Sequence, residues 1–327
     1  MPGTSPADVF SAIAAGSALQ VVVTAFALWH ALPKATSRAV PRWHLLREIS
    51  GFAGGMTAIT VTALILTQTD RILLSKLLTL EEFGHYNVAR TLGSAVAVMA
   101  QPAFHAFFPR LSRDVARGDE NLTTATYRTG GAILLLLLVP PAVTLVALPG
   151  PIVTAWTGDS ELATSLIPII IPLVLGSWIN GMMSLPYALQ LAHGWTSIAL
   201  RINLALVSVA VPSIYFATIR FGPVGSAGAW LAMNLLYAAL AIPLTHRRLL
   251  PASTGSRMLA KSLGALGFAG VVGVTAHLVT PPGLGRIHSA LIIATTYGLT
   301  LLGCVVLTQS RWLQQAVLNA IRPANKK

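Results

Sequence analysis

The sequence predicts an all-α polytopic membrane protein of about nine transmembrane helices. Three observations predict it. Nine apolar segments of membrane-crossing length fill the 327 residues, and the basic residues gather on alternate connections between them. Charged residues are only 10% of the chain against 54% hydrophobic, with a mean hydropathy of +0.70, too few charges to cover a soluble core of this size. In hydrocarbon the backbone must satisfy its own hydrogen bonds, which leaves helices or a closed barrel. Leu/Ala/Val runs of about 20 residues, rather than alternating runs of about 10, select helices.

The spans follow in order. The first covers 8–31; residues 1–31 hold no Lys or Arg and Asp8 precedes the apolar run, which is not a signal-peptide pattern. Pro33 and Pro41 end it. The second, 50–78, closes through Gln68-Thr69-Asp70-Arg71, and Glu81-Glu82-Phe83-Gly84 reads as a loop. The third, 87–108, contains Pro102 and stops at Pro109. The fourth, 122–147, contains Pro140 and Pro141 and yields to Pro149-Gly150-Pro151. The fifth, 162–189, concentrates Pro168, Pro172 and Pro186, a pattern suited to bent helices lining a cavity. His193-Gly194 leads into the sixth, 196–218, and Phe221-Gly222-Pro223 separates it from the seventh, 224–245. Pro251 precedes the eighth, 258–279, and Pro281-Pro282-Gly283 the ninth, 289–308. Trp29, Trp43, Trp156, Trp195 and Trp312 fall near span ends, where indoles anchor at the interface. Cys304, the sole cysteine, excludes an internal disulfide and reads as a small packing residue.

The charge pattern sets the orientation. Connections around 34–47, 110–128, 201, 247–261 and 311–327 hold 17 of the 22 basic residues. The positive-inside rule then places the N-terminus outside and the C-terminus in the cytoplasm. The net charge of +12 is spread over these short connections and forms no nucleic-acid face.

Enzyme chemistry finds little support. There is no metal-spaced His/Cys/Glu cluster, no phosphate-cradling Gly-rich loop and no cofactor motif. Asp119, Glu120, Asp159 and Glu161 read as solvated loop charges. Asp70 and Arg71 end the second span, where they either snorkel to the headgroups or face a solvated cavity. Adjacent residues do not face one another on a helix, so Asp70 needs another partner, such as Arg90 on the next span. Arg90 and Arg201 lie a few residues inside their spans from opposite membrane sides, and Arg suits bidentate phosphate binding. Gln101, His105, Asn180, Gln190, His193, Asn203 and Asn234 are scattered polar residues suited to bonds across helices.

The stretch Thr67–Arg117 resembles the opening of the second lobe of bacterial polysaccharide flippases of the MOP exporter superfamily, the group holding O-antigen and lipid II flippases. The likeness rests on Thr67-Gln68 with Asp70-Arg71 and Ser75-Lys76, Gly84 with Tyr86, and Pro109-Arg110-Leu111-Ser112. Trp156-Thr157-Gly158, the run Pro186–Gly194, Phe221–Gly225 and Ala229-Trp230 fit the same pattern over about residues 45–250. The resemblance implies translocation of a polyprenyl-pyrophosphate-linked oligosaccharide to the outer leaflet of a bacterial inner membrane. It implies two six-helix lobes enclosing a cationic cavity, in a MATE-like arrangement. Only one span precedes the second-lobe opening here, where the family has six. The expected organisation is therefore 1–48, the last helix of an otherwise missing first lobe and a linker; 49–248, a six-helix second lobe; and 249–327, two additional helices and a basic tail. Arg71, Arg90, Arg110 and Arg201 are expected to meet the pyrophosphate. Asp70, Gln190 and Asn203 join them as candidate cavity residues, with lipid-linked oligosaccharide, membrane lipids and a missing first-lobe polypeptide or assembly proteins as partners. Alternatives are a multidrug or cation antiporter, for which Asp70 is the one candidate carboxylate within the spans; a sugar-lipid glycosyltransferase, ligase or polymerase, disfavoured by short outer loops; and a non-transporting subunit of a polysaccharide assembly complex.

Overall fold

The computed structural model describes residues 6–31, 43–281 and 286–308, and every described element is α-helical. The chain divides into two compact units, Met1–Ser50 and Gly51–Lys327. The first contains α1 (Pro6–Ala31), an apolar helix with exposed Phe10, Phe26 and Trp29. The basic connection around 34–42, Pro282-Gly283, Trp312 and the basic C-terminal tail lie outside the described residues.

The second unit carries α2 (Trp43–Leu77, which begins in the first), α3 (Leu80–Val98), α4 (Gln101–Ala116), α5 (Glu120–Ala147), α6 (Pro149–Thr157), α7 (Ser160–Met182), α8 (Ser184–Ala192), α9 (Thr196–Leu249), α10 (Ala252–Val279) and α11 (Arg286–Thr308). Six stretches are long and apolar enough to cross a membrane: Phe10–Ala31, Glu120–Ala147, Ser160–Ala192, Leu200–Leu249, Ser262–Val279 and Ile287–Thr308. The fourth has the length for two passes and turns at Gly222, whose φ of 59° and ψ of −145° break the helix. Only glycine takes that backbone without strain. The arms of α9 pack on each other through Ile202 and Leu206 of the first and Ala241 of the second. α2 and the more polar α3 and α4 lie outside these six stretches.

Two expected loops are helical. Glu81–Gly84 is the first turn of α3, because Thr79 and Glu82 form a capping box: Thr79 Oγ1 accepts from the Glu82 N–H at 3.2 Å, and Glu82 Oε2 accepts from the Thr79 N–H at 2.9 Å. Polar side chains that resemble a loop here serve as a cap. Pro109 sits within α4, which continues to Ala116.

The third span is broken instead at Met99–Ala100, and the fifth at Met183, between α7 and α8. These breaks meet. A Cβ added at Gly181 would stand 2.9 Å from Leu138 Cδ1 and 3.5 Å from Ala100 Cβ, so glycine lets α7 approach the α3–α4 break. Gly93 does the same one level up, where an added Cβ would lie 2.9 Å from Leu173 Cβ. The core is built around these contacts, with Val96, Phe107, Leu134, Leu138, Ile170 and Leu189 buried between α3, α4, α5, α7 and α8. Cys304 is fully buried against Leu135, Val139, Ala265 and Ala269, as a packing residue should be.

Candidate functional site

Charges in an apolar helix must find partners or water. Asp70 finds partners. It lies one turn from Leu74 on the buried face of α2, and both residues are buried. On α3, Tyr86 and Arg90 stand four residues apart and turn toward it. The Arg90 guanidinium forms an ion pair with Asp70 Oδ2. Tyr86 Oη donates to the same oxygen at 3.1 Å, and the Arg71 N–H donates to Oδ1 at 2.8 Å. Ser226 Oγ, on the second arm of α9, donates to Tyr86 Oη at 3.4 Å. The carboxylate is thus closed in by three elements, and Arg90 is neutralised where it stands. Arg71, one residue on, is exposed.

A second polar level lies toward the other end of the helices. Gln190 Nε2 donates to Thr245 Oγ1 at 2.7 Å, and Thr245 Oγ1 donates to the Ala241 carbonyl at 2.7 Å. Gln190 Oε1 is buried without a partner among the described residues. Tyr127 Oη bonds His246 Nε2 at 2.9 Å, and Thr126 Oγ1 donates to the buried Asp114 at 2.7 Å. Arg110 lies over the Phe107 ring at 5.8 Å and Arg248 over Trp195 at 5.1 Å. A polar cavity of about 490 Å³ opens here beside Asp119, Glu120, Thr123, His193 and Arg248. Between the levels, Asn180 Nδ2 donates to Asn234 Oδ1 at 2.9 Å. The second arm of α9 therefore supplies one partner at each depth: Ser226, Asn234, and Thr245 with His246.

The family model described as a polysaccharide biosynthesis protein matches residues 9–166. That match covers just under half of the chain. The chain is also similar to a putative O-antigen transporter of Shigella flexneri, 23% identical over 193 residues, which make up 58% of this chain and 44% of that protein. The chain thus spans less than half the length of that curated relative. Two solved structures are similar. One is a MATE in complex with MaD5 (16% identity, 82% of this chain and 67% of that one, TM-score 0.48). The other is a MOP superfamily transporter from Pyrococcus furiosus (15% identity, 84% and 68%, TM-score 0.49).

The family match includes Asp70, Arg71, Arg90 and Arg110 and ends before Gln190, Arg201 and Asn203. The structure joins Asp70 to Arg90, as the sequence anticipates, but does not gather the four arginines. Arg110 follows Arg90 by twenty residues that are helical on both sides of the Met99–Ala100 break, a rise of about 30 Å if summed as helix. Arg201 is exposed and Asn203 half-buried on the first arm of α9, and Gln190 is committed to Thr245. Tyr86, which the sequence marks only as part of the family resemblance, and Ser226, Thr245 and the Tyr127–His246 pair were not selected as site residues. For the last three the one signal is a polar group in an apolar helix, and that signal names no partner. No group of three His, Cys, Asp or Glu among the described residues could hold a metal ion.

Proposed function

We propose that this multi-pass membrane protein forms part of a carrier that moves polyprenyl-pyrophosphate-linked oligosaccharide from the cytoplasmic to the outer leaflet for cell-surface polysaccharide assembly. The supporting observation is the polysaccharide-biosynthesis match over 9–166, the stretch holding Asp70, Arg71, Arg90 and Arg110. In this reading the exposed Arg110 and Arg201 receive the pyrophosphate at the cytoplasmic level, and Arg71 receives it at the outer level. Arg90 becomes available when its ion pair with Asp70 opens, and Gln190 and Asn203 contribute polar contacts near the cytoplasmic level. Residues 49–248 act as one lobe and 249–327 as an addition, with the N-terminus outside and a first-lobe polypeptide or assembly proteins as partners. Cation antiport is less well supported, since Asp70 is already occupied by Arg90 and Tyr86.

The test is surface-polysaccharide export in cells whose own copy is replaced by Arg71→Ala or Arg110→Ala at normal protein levels. A clear loss of export is expected in each. Full export in both overturns the cationic relay, and full export in cells lacking the chain altogether overturns the transport reading.

A further inference from the structure

The α3–α4 pair has a face that the arginine scheme does not use. Asn87, Thr91, Ser94, Val98, Gln101 and His105 recur at helical spacing along one side. The opposite side, with Tyr86, Ala89, Gly93, Val96, Ala100 and Phe107, is buried. Met99 and Ala100 keep right-handed helical angles, so the face stays aligned across the break. Thr91, Ser94, Gln101 and His105 are exposed and Asn87 is half-buried.

The stripe lies largely between Arg90 and Arg110, and the sequence reading of 87–108 as a span sets it within the hydrocarbon zone. An amide and an imidazole turned toward lipid there would go unsatisfied. The exposed faces of α10 and α11 obey that restriction. Residues 263–276 of α10 and 291–307 of α11 contain no amide, imidazole or charged side chain, and they present Leu263, Val271, Val274, Leu291, Leu302 and Val306 outward.

From this contrast, and resting on the transport reading above, we propose that the exposed face of α3–α4 is the wall of a hydrated passage that contacts the hydroxyl groups of the sugar chain. The donor–acceptor inventory specifies the class. Asn87 Nδ2 donates to the Phe83 carbonyl at 2.8 Å, leaving Oδ1 to accept. Thr91 Oγ1 donates to the Asn87 carbonyl at 2.9 Å and Ser94 Oγ to the Thr91 carbonyl at 3.1 Å, so both oxygens also face outward as acceptors. Pro102 offers no N–H to the Val98 carbonyl four residues back. A row of acceptors with no charge calls for a neutral ligand rich in O–H donors. Gln101 supplies both a donor and an acceptor at the centre of the row. Pyrophosphate belongs to the arginine levels, and the saccharide belongs to the stripe between them.

The experiment uses the full chain in its own cells, with Cys304→Ser as background and single cysteines at Thr91, Ser94, Gln101 or His105, and at Val271 or Leu302 for comparison. A membrane-impermeant, sulfonate-bearing thiol reagent should modify the stripe positions about tenfold faster than the two comparison positions, since only a hydrated thiol ionises readily. Equal, slow modification would mean that lipid or another polypeptide covers the face, and it overturns the proposal even if export depends on the chain. Gln101→Leu with His105→Leu should cut export about fivefold at unchanged protein level, and Gln101→Asn with His105→Gln should retain most of it. A labelled stripe with unchanged export in the Leu pair overturns the sugar contact alone. Export that never depended on the chain removes the transport reading beneath it.

Discussion

The two polar levels of the helices are built differently. At the Asp70 level each described carboxylate oxygen has a partner, drawn from α2 and α3, with α9 reached through Tyr86 and Ser226. At the Gln190 level one amide oxygen is buried unpaired, arginines rest on aromatic rings and a polar cavity stands open. The first arrangement holds helices in place; the second keeps polar groups available. A closed charge network is costly to break from one side, because the survivor is left uncompensated. A half-satisfied amide is inexpensive to lose.

The largest expected effect tests that asymmetry. Arg90→Ala should destabilise the detergent-purified protein by about 3–5 kcal/mol, and adding Asp70→Ala should recover part of that loss in thermal unfolding. Two additive single substitutions would mean the pair is not coupled. Tyr86→Phe removes one donor to the carboxylate and should cost about 1.5–3 kcal/mol. Gly181→Leu probes the region between the levels, where overpacking against Leu138 and Ala100 should cost about 1–3 kcal/mol. Gln190→Met should change stability least. It gives up one interhelical bond of about 0.6 kcal/mol and removes the unpaired oxygen, while Thr245 keeps its bond to Ala241. A loss as large as that of Arg90→Ala would erase the distinction between the levels.

The sequence reveals the levels better than their partners. Asp70 stands at the end of an apolar run, where the sequence leaves it either at the headgroups or in a solvated cavity, and Arg90 on the next span is the partner it suggests, the one the structure joins to it. Tyr86 and Ser226 are not, because their meeting depends on how α9 packs, 140 residues later. The α3 boundary misleads for a local reason: Glu81 and Glu82 have loop polarity but serve the Thr79 cap. Four arginines on a linear string look like one cationic set, and only the helical rise between Arg90 and Arg110 separates them. The stripe on α3–α4 escapes hydropathy because its polar residues alternate with a deeply apolar face, and averaging cancels the two.

The turn at Gly222 governs more than a change of direction. It sets the rotational register of the second arm of α9, whose Ser226, Asn234 and Thr245 meet Tyr86, Asn180 and Gln190 in sequence down the bundle. One residue inserted after Gly222 would rotate that arm by about 100° and unseat all three contacts together. The tip of this hairpin therefore works like the bow of a key whose teeth engage three separate wards.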